Sequence, residues 1–561
     1  MYDASQQLAG RGAPARPIPP WPDARPLRSW QVEATEAVRA HDGSSFLASA
    51  TPAAGKTTFG LHIAHRMLIA GYVQRVVVVG PTTHICRQWA ADAARYGIDL
   101  EPNRPNSDGP ESTDFHGVAV TYQTIAAGPD THRDACARRT TLVIADEPHH
   151  MGDEAAWGLR ARRAFDGARF RLLLSGTPFR SDNSAIPWVA YDEDGVSSAD
   201  YVYGYPQALR DRVCRPITFL PYDGEMEWIS DGRLRSGDFD IALSAAESAR
   251  RLRTALTPEG EWMGHVLRDA DARLTEVRAE GHPDAGGLVI ASNQDHARAI
   301  AARLGSIAGQ QPDIVMSDEP GASKRIAEFA ASDRRWLVSV LMVSEGVDIP
   351  RLRVGVYATA ARTELFFRQV VGRFIRTTPG GPRKQMSYLL MPADFRLKAL
   401  AHEIEVERRH ALDLSPTGEE EEASEEFDEI RTEEPGEGGG FAALSSSAAE
   451  LDDAIMSETA LQLFPTDDPK PVAKKSIAFT APIADPPAEP KEPARESAYA
   501  LRERLRGERS RMVGDLARRS GKTHREIQGR INRETKVKSV ANATIDQLER
   551  GNEILRRDLS R

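Results

Sequence analysis

Phe46-Leu-Ala-Ser-Ala-Thr-Pro-Ala-Ala-Gly-Lys-Thr-Thr58 decides how the rest of the chain is read. An apolar strand runs into a loop of small residues and then into a helix start. Such a loop points backbone N–H groups and a helix N-terminus at one place, which suits a phosphate chain. Ala53, Ala54, Gly55, Lys56, Thr57 and Thr58 are therefore the expected nucleotide-binding residues, with Lys56 reaching the β/γ-phosphates and the Thr57 hydroxyl a ligand for Mg²⁺. The first glycine of the G-x-x-x-x-G-K-[ST] pattern is replaced by Ala50, which is small enough for the turn if its φ stays negative.

Downstream, β-branched runs each end in a polar cluster: Arg75-Val-Val-Val-Val-Gly-Pro-Thr-Thr83, Gly117–Thr124, Thr141-Leu-Val-Ile-Ala-Asp-Glu-Pro-His-His150 and Arg171-Leu-Leu-Leu-Ser-Gly-Thr177. Helical segments lie between them, so the pattern predicts a parallel sheet covered on both faces, with the ligand site beyond the carboxyl ends of its strands. Asp146 and Glu147 leave a buried strand as adjacent carboxylates, which are costly there unless a cation compensates them. Asp146 is assigned to Mg²⁺ and Glu147 to the attacking water. His149 and His150, being consecutive, point different ways and do not read as a zinc pair. Upstream, Gln31 offers an amide donor and acceptor that suit an adenine edge.

A second strand–helix set begins at Gly286-Gly-Leu-Val-Ile-Ala-Ser-Asn293 and continues through Arg335–Pro350, Val354–Ala358 and Met386–Met391. Between the last two lies Leu365-Phe-Phe-Arg-Gln-Val-Val-Gly-Arg-Phe-Ile-Arg376, a mostly apolar helix in which Gln369, Arg373 and Arg376 are expected to share one face. Guanidiniums set in such a helix suit an anion, here the γ-phosphate.

The 561 residues are enough for about three to four domains. No apolar run approaches the ~18 residues a membrane span requires, and the first twenty residues hold no apolar signal region. Cys86, Cys136 and Cys214 show neither zinc nor disulfide spacing, which reads as a reducing, cytoplasmic setting. The net charge of −10 argues against blanket nucleic-acid affinity but leaves room for local basic surfaces.

The expected layout is a disordered tail over 1–24, a first domain over 25–222, a helical connector over 223–282 and a second domain over 283–412. An acidic, Pro/Gly-rich disordered linker follows over 413–494. Residues 495–561 invert the charge, with 18 Lys/Arg against 10 Asp/Glu, and Thr523-His-Arg-Glu526 and Thr544-Ile-Asp-Gln547 read as capping boxes opening two helices. This basic helical module is a candidate for gripping a phosphate backbone. An oligomerisation bundle is the alternative.

Taken in order, these segments resemble the motifs of superfamily-2 DEAD/DEAH-box-like helicases, in particular the branch of type III restriction helicase subunits and their bacterial and phage relatives. The resemblance covers residues 25–412: Leu27–Gln31, Ala50–Thr57, Pro81-Thr82, Thr121-Tyr-Gln123, Asp146-Glu-Pro-His149, Ser175-Gly-Thr177, Ala291-Ser-Asn293, Ser344-Glu-Gly-Val-Asp348 and Gln369–Arg376. Ala50 for Gly and Pro148 in the Asp-Glu-x-His box depart from the pattern without removing a catalytic group.

The resemblance implies an α/β fold of two tandem RecA-like domains with ATP and Mg²⁺ held in the cleft. Gln31, Lys56, Thr57, Asp146 and Glu147 would come from the first domain and Gly346, Asp348, Gln369, Arg373 and Arg376 from the second. Nucleic acid would be held through Pro81, Thr82, Thr121, Ser292, Asn293 and Ser344, contacts that carry position and not sequence. The expected activity is ATP-dependent DNA translocation or unwinding, on single-stranded or forked DNA, with RNA as the alternative. Other expectations are the motor subunit of a restriction or defence complex, or an ATP-switched loader. Pro283-Asp284 has no nuclease partner residues nearby, so cutting is expected from a partner nuclease, and a replication protein is the other expected partner.

Overall fold

The computed structural model describes residues 17–108, 111–149, 155–176, 186–191, 197–230, 233–316, 321–340, 349–377, 385–411, 441–446, 496–537 and 539–560. The chain divides into two compact units. The first comprises Met1–Ala50, Gly55–Tyr203 and Pro486–Arg561; the second comprises Thr51–Ala54 and Gly204–Asp485.

The first unit is built on a sheet of β1 (Ser45–Ala50), β2 (Arg75–Gly80), β3 (Leu100–Pro102), β4 (Gly117–Thr121), β5 (Thr141–Asp146), β6 (Phe170–Ser175) and, beyond a short ribbon of β7 (Ala190–Tyr191) and β8 (Ser197–Ser198), β9 (Tyr201–Tyr203). The sheet order is β3-β4-β2-β5-β6-β1-β9, and every pairing is parallel. The valine and leucine runs are buried on both faces, as a sheet sandwiched by helices demands. The register sets Ser45–Ser49 beside Arg171–Ser175 and Ala145 beside Leu173. This brings the polar ends of β1, β5 and β6 to one edge.

The second unit holds a six-stranded sheet of β10 (Ile217–Tyr222), β13 (Gly286–Ala291), β14 (Asp313–Val315), β15 (Trp336–Val340), β16 (Leu352–Ala358) and β17 (Ser387–Pro392), with β11 (Met226–Ser230), β12 (Arg233–Gly237) and β18 (Phe441–Ser446) in a separate antiparallel sheet. The main sheet runs β10-β17-β16-β13-β15-β14, again all parallel. Two α/β units with parallel sheets are the architecture of tandem RecA-like domains.

The structure moves several expected boundaries. Ile217–Tyr222, assigned to the first domain on sequence, pairs with β17 and belongs to the second sheet. The expected connector over 223–282 is part of the second unit's core. Its helix Glu261–Ala279 carries an apolar stripe of Trp262, Met263, Val266, Leu267, Ala270, Leu274 and Val277 that packs into the cluster holding Val289, Val338 and Val356. Its many charges occupy the other face, which is why composition alone suggested a connector.

Residues 17–24, expected at the end of a disordered tail, pack instead on the first unit. Trp21 stacks on Tyr96 at 4.0 Å between ring centroids and meets the edges of His62 and His65. Most of the stretch 413–494 lies outside the described residues, but Phe441–Ser446 forms a strand paired antiparallel to β11.

The basic module is docked on the first unit. Its helices, Ala498–Ser520, His524–Glu534 and Ile545–Leu559, enclose two small apolar clusters around Leu505 and Ile531. The second and third helices start in capping boxes at Thr523 and Thr544. Between the clusters sits the buried Arg509, donating to Gln528 Oε1 at 3.1 Å and Asn532 Oδ1 at 2.7 Å. Among the described residues no helix is long and apolar enough to cross a membrane.

Candidate active site at the carboxyl edge of the first sheet

After β1 the chain turns through Thr51–Gly55 into the helix Lys56–Ile69. The left-handed turns fall at Ala53 (φ 67°) and Gly55 (φ 91°), and Ala50 is not among the residues with positive φ. Its replacement of glycine therefore introduces no backbone strain. At Gly55 a side chain is excluded twice over, by the φ and by Gln31, whose Nε2 would lie 2.9 Å from an added Cβ. The helix opens without a side-chain cap, which leaves its first N–H groups for an anion.

Gln31 is buried and braces this loop. Its amide donates to the Gly55 carbonyl at 3.0 Å and accepts from the Arg28 N–H at 2.9 Å.

Lys56 donates to the Ala50 carbonyl at 3.3 Å and to Glu147 Oε1 at 2.7 Å. Glu147 is the hub of the site. Its other oxygen accepts from the Ser175 hydroxyl at 3.0 Å and the Gly176 N–H at 3.3 Å, with His149 Nδ1 at 3.6 Å. Burial alone would raise the Glu147 carboxyl, but the Lys56 ammonium, His149 and the hydrogen bonds outweigh it and hold the pKa down at about 2. The carboxylate is thus charged at neutral pH, as a base must be. Its backbone lies at φ 52°, a conformation that costs a non-glycine residue about 1–3 kcal/mol. The Glu147 N–H bond to Leu174 O at 2.8 Å and the side-chain bonds hold it there. Pro148 does not relieve this strain, because a residue before proline prefers extended backbone.

Asp146 is fixed by two residues that sequence reasoning missed. Trp89 Nε1 donates to Asp146 Oδ2 at 2.7 Å, and the Tyr122 hydroxyl donates to the Asp146 carbonyl at 2.8 Å. Trp89 lies on the helix Thr83–Ala94, whose N-cap is Thr82; Tyr122 opens the helix Tyr122–Ala127, whose N-cap is Thr121. Gly60 on the loop's own helix makes room for the indole, since a Cβ there would come to 3.0 Å of Trp89 Cη2. A buried indole N–H must find an acceptor. That requirement was visible in the sequence, but the identity of the acceptor was not.

The proposed nucleic-acid residues of the first unit stand at the carboxyl ends of β2 and β4. Pro81 follows β2, the Thr82 hydroxyl accepts from the Ile85 N–H at 3.3 Å, and the Thr121 hydroxyl accepts from the Thr124 N–H at 3.2 Å. Thr57 and Thr58 lie half-buried in the first turn of the loop's helix.

In the second unit, Ser292 donates to the Ala358 carbonyl at 3.3 Å, and Asn293 caps the helix Gln294–Ala308. Gln369 and the buried Arg373 lie on the helix Glu364–Phe374. Arg376 does not share that helical face, contrary to expectation. The helix ends at Phe374, and Arg376 forms an antiparallel bridge with Cys214 while its Nε donates to Gly372 O at 3.4 Å. Within this unit Gly372 faces Pro52, whose Cγ would be 2.6 Å from an added Cβ. Ser344, Gly346 and Asp348 lie outside the described residues.

Chemically, the first unit brings together an ammonium, two carboxylates, hydroxyls and an uncapped helix N-terminus. The donor set fits a triphosphate: Lys56, Gly55 and the helix N-terminus for the phosphates, with Thr57 and Asp146 as oxygen ligands suited to Mg²⁺.

Residues 25–180 match the family described as type III restriction enzyme, res subunit. An uncharacterised protein of Mycobacterium tuberculosis is 47% identical over 440 residues, covering 77% of this chain and 72% of that one. The DNA 3'-5' translocase XPB2 of Sulfurisphaera tokodaii is 22% identical over 376 residues, covering 64% of this chain and 81% of that one. Among solved structures, the ATP-dependent Type ISP restriction-modification enzyme LlaBIII bound to DNA aligns with a TM-score of 0.45 at 17% identity, covering 66% of this chain and 28% of that one. Its ordered motifs, its two parallel-sheet units and its res-subunit domain over 25–180 mark the chain as a superfamily-2 helicase-like protein, of the same family as the Mycobacterium tuberculosis protein.

Proposed function

We propose that the protein is an ATP-dependent DNA translocase or helicase. The observation that carries this reading is the convergence of Lys56, Ser175 and the Gly176 N–H on the Glu147 carboxylate at the sheet edge, with Asp146 anchored beside it. ATP with Mg²⁺ supplies the phosphoanhydride whose cleavage drives the motor. Lys56 and the loop N–H groups bind the phosphates, while Thr57 and Asp146 hold the metal. Glu147, released from Lys56, takes the proton of the attacking water. Arg373 and Arg376 act on the γ-phosphate as the charge develops there.

Trp89 and Tyr122 provide a route from strand to metal. Each belongs to a helix capped by a proposed nucleic-acid residue and each holds Asp146. DNA is preferred as the track because the translocase relative acts on DNA.

The test is ATP hydrolysis measured with single-stranded DNA, duplex DNA, forked DNA and RNA as separate stimulants. Stimulation by DNA that is lost in Lys56→Ala is expected. Equal slow turnover with every stimulant would overturn the motor and favour an ATP-switched binding protein.

The match to a restriction subunit supports a second reading, a defence-complex motor whose partner nuclease is a separate chain. Intact plasmid after incubation with ATP and Mg²⁺ is then expected from this chain alone.

A further inference from the structure

The C-terminal module spends its charges unevenly. On the side facing the first unit they are paired. Arg502, buried, donates to Glu101 Oε1 at 3.2 Å, Glu101 also takes Arg104 at 2.7 Å, and the Arg502 guanidinium lies 5.0 Å from the centre of the Phe115 ring. Asp99 accepts the Ala498 N–H at 2.8 Å and Asp114 accepts the Ile545 N–H at 3.1 Å. Two helix N-termini are thereby set against carboxylates of the first unit, the favourable sense for their dipoles. The module is fixed to that unit through these contacts.

The second helix, His524–Glu534, turns Ile527 and Ile531 into the module's core. Arg525 and Arg533 lie on its opposite side, eight residues apart, which is about 12 Å along the axis and about 80° around it. Lys536 follows just past the helix end. All three are exposed, and none forms an ion pair among the described residues. Arg504, Arg506, Arg518, Arg530, Arg550 and Arg556 of the same module are each paired with a carboxylate, while Arg511, Lys522 and Arg557, elsewhere on the module, are exposed and likewise form no ion pair among the described residues. Between Arg525 and Arg533 stands Gly529, where an added Cβ would meet nothing closer than 3.9 Å, so the surface there is open and free of bulk.

Unpaired like charges on one face repel each other and are relieved by a polyanion. We propose that Arg525, Arg533 and Lys536 form a contact surface for the phosphate backbone of a nucleic acid, held in fixed orientation on the first motor unit. The proposal deepens the motor reading and takes only the class of partner from it. The surface provides sequence-independent grip, because phosphate contacts position and do not specify.

The test is fluorescence anisotropy of labelled single-stranded and duplex DNA with the full chain, without nucleotide, titrated from about 50 to about 200 mM salt. The triple variant Arg525→Ala/Arg533→Ala/Lys536→Ala should bind at least tenfold more weakly at the lower salt. Its log–log salt slope should be shallower by about 2–3, the value for three lost phosphate contacts. Basal ATP hydrolysis and thermal unfolding should match the parent chain, which separates this result from misfolding and from any failure of the motor reading. Unchanged affinity and slope would overturn the proposal.

Discussion

The two RecA-like units are built on the same plan and hold their chemistry differently. In the first, the proposed catalytic groups already bond to one another: Lys56 to Glu147, Glu147 to Ser175, Trp89 to Asp146. In the second, the proposed arginines are spread over a helix and the bridge that follows it, with Arg376 turned to the Gly372 carbonyl of its own segment. One unit is a preassembled centre in which opposite charges neutralise each other. The other sets its proposed arginines on a buried helix and on the strand bridge that follows it. On the proposed reading, chemistry belongs to the first unit and the response to bound nucleotide to the second.

This contrast breaks most visibly at Arg376. Arg376→Ala should lower DNA-stimulated turnover by about 10³-fold or more while leaving nucleotide affinity nearly unchanged, the pattern of a group used in the transition state. Comparing kcat with the binding constant of a fluorescent ATP analogue checks it. Equal losses in both would move Arg376 into ground-state binding and erase the distinction between the units.

A smaller effect sharpens the same contrast inside the first unit. Trp89→Phe keeps the ring and removes the N–H held by Asp146. A charge-assisted hydrogen bond is worth about 1.5–3 kcal/mol, so turnover should fall by about tenfold or more. The Mg²⁺ concentration needed for half-maximal nucleotide binding should rise with it. A variant with ordinary Mg²⁺ dependence would reduce Trp89 to a packing residue.

Much of this was legible in the sequence because it rests on local pattern. Continuous β-branched-rich runs such as Val76–Val79 and Leu142–Ala145, bounded by polar clusters, read as buried strands and are parallel strands in the structure, and Lys56 after Gly55 marks the proposed phosphate loop. Capping boxes at Thr523 and Thr544 are likewise local. Long-range pairing was not legible. The strand Ile217–Tyr222 has no local feature that assigns it to the second sheet, and Arg376 follows the helix in sequence but not in space. Charges hid the apolar stripe of Glu261–Ala279. The docking of the C-terminal module depends on Asp99, Glu101 and Asp114, about 400 residues upstream, a distance over which periodicity says nothing.

The ion pair between Lys56 and Glu147 carries the central claim, and Glu147→Gln tests it most directly. The amide cannot take a proton from water, and it frees the Lys56 ammonium from its carboxylate. Turnover should therefore fall by about 10²–10⁴-fold while the fluorescent ATP analogue binds as tightly as before or more tightly. Retained hydrolysis, or nucleotide affinity lost together with turnover, would contradict the account.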